Sequence, residues 1–291
     1  MDTLWYFAYG SNLSADKFTK SRGIIPLATV VARIPGWTIS MSIPGLPYRE
    51  PAFASIRPID DISSAEKKLE VEGVAYLITR LQYAKIIASE GGDITYAQAK
   101  LRAEPLGEKN RMIVGGEEFL VITLANAIFK ASPGRPSFRY LVRASSLVML
   151  YWTDAPSQDL VLSGAKSVPL TPQYLHHLQM TPAYTQSRSI RKRIGASLFL
   201  AFWSPVMTLI EVIVKKTASL ERGGAVPDWV KTFVRFLVAS MWFSHEMHAL
   251  LWGRGDGLDD APDINVAVHN AADLEPQIRG TAEIKGMPWT G

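Results

Sequence analysis

The chain contains no cysteine among its 291 residues. This absence excludes disulfide bonds, catalytic thiolates and zinc sites built from cysteine. The start of the sequence also lacks the basic segment of a secretory signal peptide, because Asp2 stands there and the first apolar run ends at Gly10. We therefore expect a cytoplasmic protein.

The chain also lacks a large excess of positive or negative charge. Charged residues make up 20% of the chain and the net charge is +4, with one dense basic cluster formed by Arg188 and residues 191–193. Without a recognisable nucleic-acid-binding motif, this balance predicts no nucleic-acid partner. His245 and His248 stand three residues apart, whereas the metalloprotease zinc helix needs a spacing of four. We predict no metal site and no cofactor.

What the sequence does contain is a series of short apolar segments. A helical pattern covers residues 81–90, and Pro44, Gly45 and Pro47 predict a loop. Strand patterns cover residues 4–9, 27–31, 37–42, 52–56, 69–79 and 118–124. Many short strands with few helices predict an α+β protein built on a small barrel or a strongly curved sheet.

The first of these segments ends in a polar turn. Residues 4–9 are apolar and aromatic, and Gly10, Ser11 and Asn12 follow directly. A turn at the end of a core strand places backbone N–H groups at the rim of a sheet, where they can bind a carboxylate or a phosphate. The pattern fits an ordinary strand and turn equally well, so the residues alone leave both interpretations open.

The composition changes after Arg188. Residues 194–214 form an apolar run that is long enough to span a bilayer, although Pro205 and Glu211 interrupt it. An amphipathic segment follows, so residues 187–252 are predicted to form a hydrophobic helical extension. It is interpreted either as a helical hairpin packed on the core or on a partner in a homodimer, or as a membrane-surface attachment through residues 194–252. The tail, residues 253–291, is predicted to be disordered.

Three features in order resemble one known family. They are residues 6–13 (Tyr-Phe-Ala-Tyr-Gly-Ser-Asn-Leu), a strand at residues 71–78 whose following helix ends in Ser89-Glu90-Gly91, and residues 136–140 (Pro-Ser-Phe-Arg-Tyr). Together they resemble the γ-glutamylcyclotransferase family. The resemblance covers residues 1–186 and implies a catalytic domain with a small γ-glutamylcyclotransferase-like β-barrel and flanking helices.

One segment departs from that family. In relatives, a segment like residues 136–141 continues directly into a helix like residues 163–166, so residues 141–162 are interpreted as an insertion. They are either a genuine loop or the product of a misassigned exon boundary. Sequencing the transcript distinguishes the two, because a message without these codons excludes the loop.

The resemblance implies an enzyme. In this family the α-amine of a γ-glutamyl group attacks its own side-chain amide, 5-oxoproline closes and the attached amine leaves. One carboxylate can move both protons, so no cofactor is implied. Glu90 matches the catalytic glutamate, although Ala88 and Ser89 stand where relatives often carry an aspartate. Local sequence alone favours an ordinary solvated glutamate at a helix end, and the resemblance favours the catalytic interpretation instead.

The resemblance also implies the substrate-binding residues. The turn would bind the substrate α-carboxylate, and Tyr140 would contact the substrate, although a core aromatic is the alternative for Tyr140. The implied set is Tyr6, Phe7, Ala8, Tyr9, Gly10, Ser11, Asn12 and Tyr140. Arg49 and Arg57 are further candidates for carboxylate contact.

The motifs do not specify the amine that leaves. Residues 48–56 and the hydrophobic extension resemble filamentous-fungal members of the family, some of which belong to clusters for gliotoxin-type toxins. This resemblance implies that the small-molecule substrate is a γ-glutamyl compound, with trimming of a glutathione adduct as the specific expectation. The alternative is a catalytically inactive, membrane-attached relative that binds ligands or acts as a scaffold.

Overall fold

The computed structural model describes residues 2–13, 17–59, 69–126, 134–137, 140, 165–184, 186–187 and 189–254. The predicted insertion at residues 141–162 lies outside the described residues, and so does the predicted disordered tail beyond residue 254.

The described part of the chain contains seven strands and five α-helices. The strands are β1 (Thr3–Ala8), β2 (Ala28–Ile34), β3 (Trp37–Leu46), β4 (Glu50–Pro58), β5 (Val71–Thr79), β6 (Ala97–Pro105) and β7 (Phe119–Ala125). The helices are α1 (Arg80–Ser89), α2 (Glu108–Val114), α3 (Pro172–Gln179), α4 (Ile190–Thr217) and α5 (Asp228–Trp252).

Five strands form a closed barrel in the order β1-β5-β2-β6-β7. The neighbours are antiparallel except β1 and β7, which run parallel and close the barrel where Tyr6 faces Ile122. The remaining strands, β3 and β4, form a separate two-stranded sheet. Closure leaves no unpaired edge in the five-stranded barrel, whereas the two-stranded sheet keeps open edges. The prediction of an α+β protein with a small β-barrel, flanking helices and a C-terminal helical extension is therefore confirmed.

Two predictions about this sheet region were wrong. β6 was missed because its alanines, glutamine and lysine have low strand propensity, yet Ala97, Ala99 and Leu101 alternate with polar residues as a strand requires. The predicted loop at residues 44–47 is in part strand, because β3 continues through Pro44, which pairs with Ala52, to Leu46. Proline is tolerated there because a two-stranded sheet has open edges.

The extension is an antiparallel hairpin of α4 and α5 that packs on the β3–β4 sheet and on the loop after α1. Tyr48, in the turn between β3 and β4, has a φ of 63°, and its ring packs between Phe199 of α4 and His245 of α5. Trp242 donates a hydrogen bond of 3.1 Å to the carbonyl of Gly45. His245 is therefore a fully buried packing residue in an aromatic cluster. Among the described helices, α4 is long and apolar enough to cross a membrane.

Candidate active site

The turn after β1 forms one wall of a cleft. Tyr6, Phe7 and Ala8 are buried in the barrel core, so the strand ends in a fixed position. The chain then turns through a short 3-10 helix, Ser11–Leu13, in which the Leu13 N–H donates to the Gly10 carbonyl at 3.0 Å. The turn therefore lies at the rim of the barrel, as its sequence predicts.

The connection between β5 and α1 explains how Glu90 reaches this rim. β5 runs antiparallel to β1, and Val74 pairs with Ala8 at the end from which the turn leaves. The five steps from Val74 to Thr79 cover about 17 Å along the strand. α1 then reverses the chain, and its ten residues cover about 15 Å. The end of α1, and with it Glu90, thus returns to the level of the turn.

α1 has well-defined ends. Thr79 and Gln82 form a reciprocal capping box at its start. At its end the N–H of Glu90 donates to the carbonyl of Ile86 at 2.9 Å, and Gly91 follows with a φ of 93°. A glycine in this left-handed region is a common helix stop. Glu90 is therefore fixed at the last turn of the helix by local sequence.

The cleft encloses about 300 Å³, including its open mouth. It contains most of the predicted site residues together with three that sequence reasoning missed. The lining residues are Tyr6, Tyr9, Gly10, Ser11, Asn12, Ala54, Glu90, Tyr96, Leu124 and Tyr140.

The carboxylate of Glu90 has two protein partners. The side-chain amide of Asn12 donates to its Oε1 at 3.2 Å and also to the hydroxyl of Tyr6 at 2.9 Å. The guanidinium of Arg22 forms an ion pair with the same carboxylate oxygen, and the exposed fractions of the two side chains are 8% for Arg22 and 18% for Glu90. A carboxylate at a helix C-terminus opposes the helix dipole, so a buried cation compensates an otherwise unfavourable position.

Two polar atoms beside Glu90 are buried without a hydrogen-bond partner in the described part of the chain. They are Oδ1 of Asn12 and Nη1 of Arg22. Because a buried polar atom costs free energy when it is unpaired, a ligand that supplies an ammonium hydrogen or an acceptor oxygen would gain from contact with either atom.

Tyrosines form much of the remaining wall. The Tyr96 hydroxyl donates to the carbonyl of Ala54 at 3.2 Å, and the Ala54 N–H donates to the Tyr140 oxygen at 3.2 Å. Burial raises the pKa of Tyr6, Tyr9, Tyr96 and Tyr140 above the usual tyrosine range. These phenols therefore stay neutral at physiological pH and act as hydrogen-bond donors and acceptors, not as charged groups.

Gly10 sets the width of the cleft. A Cβ at this position would stand 3.6 Å from both the Ala54 Cβ and the Tyr140 hydroxyl. A methyl group here would therefore fill the space between the turn and the opposite wall.

The structure separates four of the predicted candidates from the cleft. Phe7 points away from the face that Tyr6 presents because side chains alternate along a strand, and Ala8 is buried within the core. Neither residue lines the cleft, and neither do Arg49 or Arg57. The cation beside Glu90 is Arg22, which no motif marked because it lies in a polar segment without periodicity.

The chain is similar to known proteins along most of its length. Residues 189–250 match the family described as the AclK C-terminal domain. The chain is 38% identical over 265 residues to γ-glutamyl cyclotransferase aclK of Aspergillus oryzae, covering 88% of this chain and 90% of the relative. It is 30% identical over 267 residues to γ-glutamyl cyclotransferase gliK of Aspergillus fumigatus, covering 87% and 89%.

Among solved structures, a γ-glutamyl cyclotransferase aligns with a TM-score of 0.44 and 18% identity, covering 65% of this chain and 95% of its own. The identity and coverage of the two curated relatives confirm the family prediction and its fungal character. The chain belongs to the γ-glutamyl cyclotransferase family and is an enzyme of that class.

Proposed function

We propose that this enzyme releases 5-oxoproline from a γ-glutamyl amine or peptide, with Glu90 as the group that moves both protons. The observation that supports this proposal is the position of the Glu90 carboxylate. It lies in the same cleft as the turn after β1, and Asn12 of that turn donates to it.

The first step requires a base. The α-ammonium of the substrate gives one proton to the Glu90 carboxylate, and the free amine then attacks the γ-carbonyl carbon of the same molecule. A C–N bond forms and closes a five-membered ring. Since both reacting groups belong to one substrate, the enzyme has to fix a conformation and not bring two molecules together.

The second step requires an acid. The tetrahedral carbon expels the original amine, which is a poor leaving group without a proton. Protonated Glu90 donates to that nitrogen, the original C–N bond breaks, and Glu90 returns to the carboxylate form. The ring nitrogen loses its remaining extra proton as the lactam forms, and this proton ends on the released amine, which leaves as an ammonium. The products are therefore 5-oxoproline and the protonated amine, and the carboxylate returns to its starting state in each turnover.

The turn after β1 binds the common part of every substrate in this proposal. Backbone N–H groups of Gly10, Ser11 and Asn12 receive the substrate α-carboxylate, and the neutral hydroxyl of Tyr140 contacts the glutamyl chain. The ion pair with Arg22 orients the Glu90 carboxylate. This arrangement recognises the glutamyl head and leaves the choice of amine to the mouth of the cleft.

For the natural substrate we propose a γ-glutamyl compound formed from a glutathione adduct during the synthesis of a gliotoxin-like metabolite in the cytoplasm. The support is resemblance: the relatives named aclK and gliK span most of this chain, including its extension. Simple γ-glutamyl amino acids are the plainer candidates. A glutathione S-conjugate and free γ-glutamyl amino acids, compared in one assay, rank the two classes by kcat/KM.

The experiment that tests the reaction measures 5-oxoproline from a panel of γ-glutamyl amines, each paired with its N-acetylated form. Acetylation keeps the side-chain amide but removes the nucleophilic amine. We expect release of 5-oxoproline from the free amines and no cleavage of the acetylated ones. Cleavage of both forms would contradict intramolecular attack. Binding without turnover across the panel would favour the inactive scaffold.

The hairpin has an outer face that we propose to bind a second copy of this chain. Large apolar side chains on both helices are exposed there. They are Ile190, Ile194, Leu198, Phe202, Leu209 and Val212 of α4, and Trp229, Phe233, Phe236, Phe243, Met247, Leu250 and Leu251 of α5. So many exposed large apolar side chains on one pair of helices mark an interaction surface.

The spacing along α5 supports a helical partner. Trp229, Phe233, Phe236, Ser240, Phe243, Met247 and Leu250 follow one another at alternating steps of four and three residues. This alternation places the side chains on one side of α5, where they form a seam like that of helices that pack along each other. A two-fold dimer in which the seam meets itself would cover the face.

The oligomeric state of the full chain tests this surface. We expect a dimer by light scattering, and we expect Phe236→Ser combined with Phe243→Ser to give a monomer that keeps its fold. Leu120→Ser is the control, because Leu120 is similarly exposed on the barrel. A wild-type monomer that co-sediments with phosphatidylserine vesicles would contradict the dimer and support membrane attachment.

A further inference from the structure

The three residues after Glu90 have an unusual backbone. Gly91, Gly92 and Asp93 have φ values of 93°, 64° and 68°. The left-handed region costs free energy for a residue with a side chain, so Asp93 keeps this conformation only because its surroundings hold it. The position of Glu90 therefore depends on whatever holds the segment that follows it.

The C-terminal extension supplies backbone contacts to this segment. The N–H of Val226, in the loop between α4 and α5, donates to the Gly92 carbonyl at 3.0 Å. The guanidinium Nε of Arg235, in α5, donates to the Ile94 carbonyl at 3.1 Å. These two carbonyls of the loop behind Glu90 are thus bonded by the extension and not by the barrel.

A charged contact and an apolar contact add to these bonds. Lys231 of α5 forms an ion pair of 3.2 Å with Asp93, and the exposed fractions of the side chains are 18% and 29%. Ile94, which is 2% exposed, packs into the core of the extension with Val226 and Val230. The loop is therefore part of the extension's packing although it belongs to the barrel in sequence.

The extension also touches α1 itself. A Cβ at Gly224 would lie 2.0 Å from the Ala84 carbonyl oxygen and 2.9 Å from the Ala88 nitrogen. The backbone of the extension thus lies directly against the last turns of the helix that carries Glu90. Only a glycine permits this approach.

We infer that the extension is a brace that positions Glu90 for proton transfer. The brace consists of Gly224, Val226, Lys231 and Arg235, none of which lines the cleft in the described part of the chain. It acts through α1 and through the loop behind Glu90. The inference rests on the proposed role of Glu90, and it makes the extension a working part of the enzyme and not an accessory.

The test compares two neighbouring glycines in the full-length enzyme. Gly224→Ala forces a methyl group into α1, whereas at Gly223, which has a φ of 65°, an added Cβ meets nothing within 4 Å. Both substitutions strain a left-handed glycine, so Gly223→Ala controls for that strain. Since small displacements of a catalytic group cost up to about a hundredfold in rate, we expect Gly224→Ala to lower kcat by about tenfold or more. KM should stay near the wild-type value.

A second variant avoids the risk that Gly224→Ala fails to fold. Lys231→Met removes the ion pair with Asp93, and Lys231→Arg preserves it. We expect a lower kcat in the first and recovery in the second.

The leaving group separates positioning from simple loss of folded enzyme. A displaced Glu90 delivers its proton poorly, so the loss of kcat should be larger for a γ-glutamyl alkylamine than for γ-glutamyl-p-nitroanilide, whose leaving amine needs the proton less. A merely unstable protein would lose both activities equally.

The outcomes separate the positioning role of the brace from the proposed proton transfer by Glu90. Wild-type kcat for both substrates in folded Gly224→Ala and Lys231→Met would overturn the brace and leave the role of Glu90 intact. An equal loss for both substrates that follows a loss of folded enzyme, measured by circular dichroism, would also overturn it, because the effect would then be on folding. An equal loss in fully folded enzyme would place the defect in the first proton transfer and would support the brace. Full activity of Glu90→Gln would instead overturn the proposed reaction.

Discussion

Glu90→Gln is expected to lower kcat for 5-oxoproline release by about a thousandfold, the middle of the range for losing a general acid–base group. Glutamine has nearly the same volume, and its amide oxygen can still accept the hydrogen bond from Asn12. What it cannot do is take a proton from the substrate ammonium or return one to the leaving nitrogen. The measurement is 5-oxoproline formed per enzyme at saturating substrate.

The control for this prediction is Glu118→Gln. Glu118 is exposed and pairs with Arg102 on the barrel surface, so the same chemical change there should leave kcat within twofold. Glu90→Ala is a weaker test, because it also empties part of the cleft. Glu90→Gln with wild-type turnover and a wild-type melting temperature would rule out Glu90 as the proton carrier.

Local signals made part of this site predictable. The aromatic β1 and its polar turn, the β5 strand and the helix that ends before two glycines all appear as short-range patterns. The resulting elements agree with expectation to within a few residues. Because β5 pairs with β1 and α1 reverses the chain, those elements already place Glu90 beside the turn. Strand and helix lengths, together with this pairing and reversal, therefore bring Glu90 to the level of the turn.

The rest depends on long-range contacts that leave no local pattern. Arg22 meets Glu90 across 68 positions, and its segment shows neither motif nor period. Ala54 reaches the cleft because β4 packs beside the barrel, and Tyr96 reaches it from immediately before β6; their neighbours in sequence mark neither residue. Phe7 was placed in the cleft by resemblance, yet strand alternation turns it into the core. Resemblance to a motif identifies a segment, but the pleat decides which of its side chains face the ligand.

Local sequence also did not predict the contacts that form the brace. The pair of glycines after Glu90 predicted a sharp turn, but nothing in their neighbourhood predicted that Val226 would bond to Gly92. The extension was expected to be a hairpin on the core, at a dimer interface or on a membrane. The structure combines these expectations in part, since the hairpin's inner face packs against the loop after Glu90 while its outer face stays exposed.

Arg22→Leu is expected to lower the free energy of unfolding by about 3 kcal/mol, because removing one partner of a buried ion pair leaves the other charge uncompensated. The side chains of Arg22 and Glu90 are largely buried, and Glu90 stands at the negative end of α1. Activity should also fall, because the carboxylate loses a partner that fixes its direction. Arg22→Lys keeps the charge but loses the planar fork, so an intermediate loss is expected.

Urea unfolding of four proteins separates charge from packing: the wild type, each single variant and Arg22→Leu combined with Glu90→Gln. If the cost comes from an uncompensated carboxylate, the double variant should be more stable than Arg22→Leu alone, with a coupling energy of about 2 kcal/mol. If the cost comes from lost packing of the arginine side chain, the two changes should add.

Arg33→Leu is the surface control. Arg33 pairs with Glu104 at 2.6 Å, but the side chains are 44% and 33% exposed, so only about 0.5 kcal/mol should be lost. Equal losses for Arg22→Leu and Arg33→Leu would show that the pair in the cleft does not stabilise the fold. The role of Arg22 would then be to orient the Glu90 carboxylate and not to stabilise the fold.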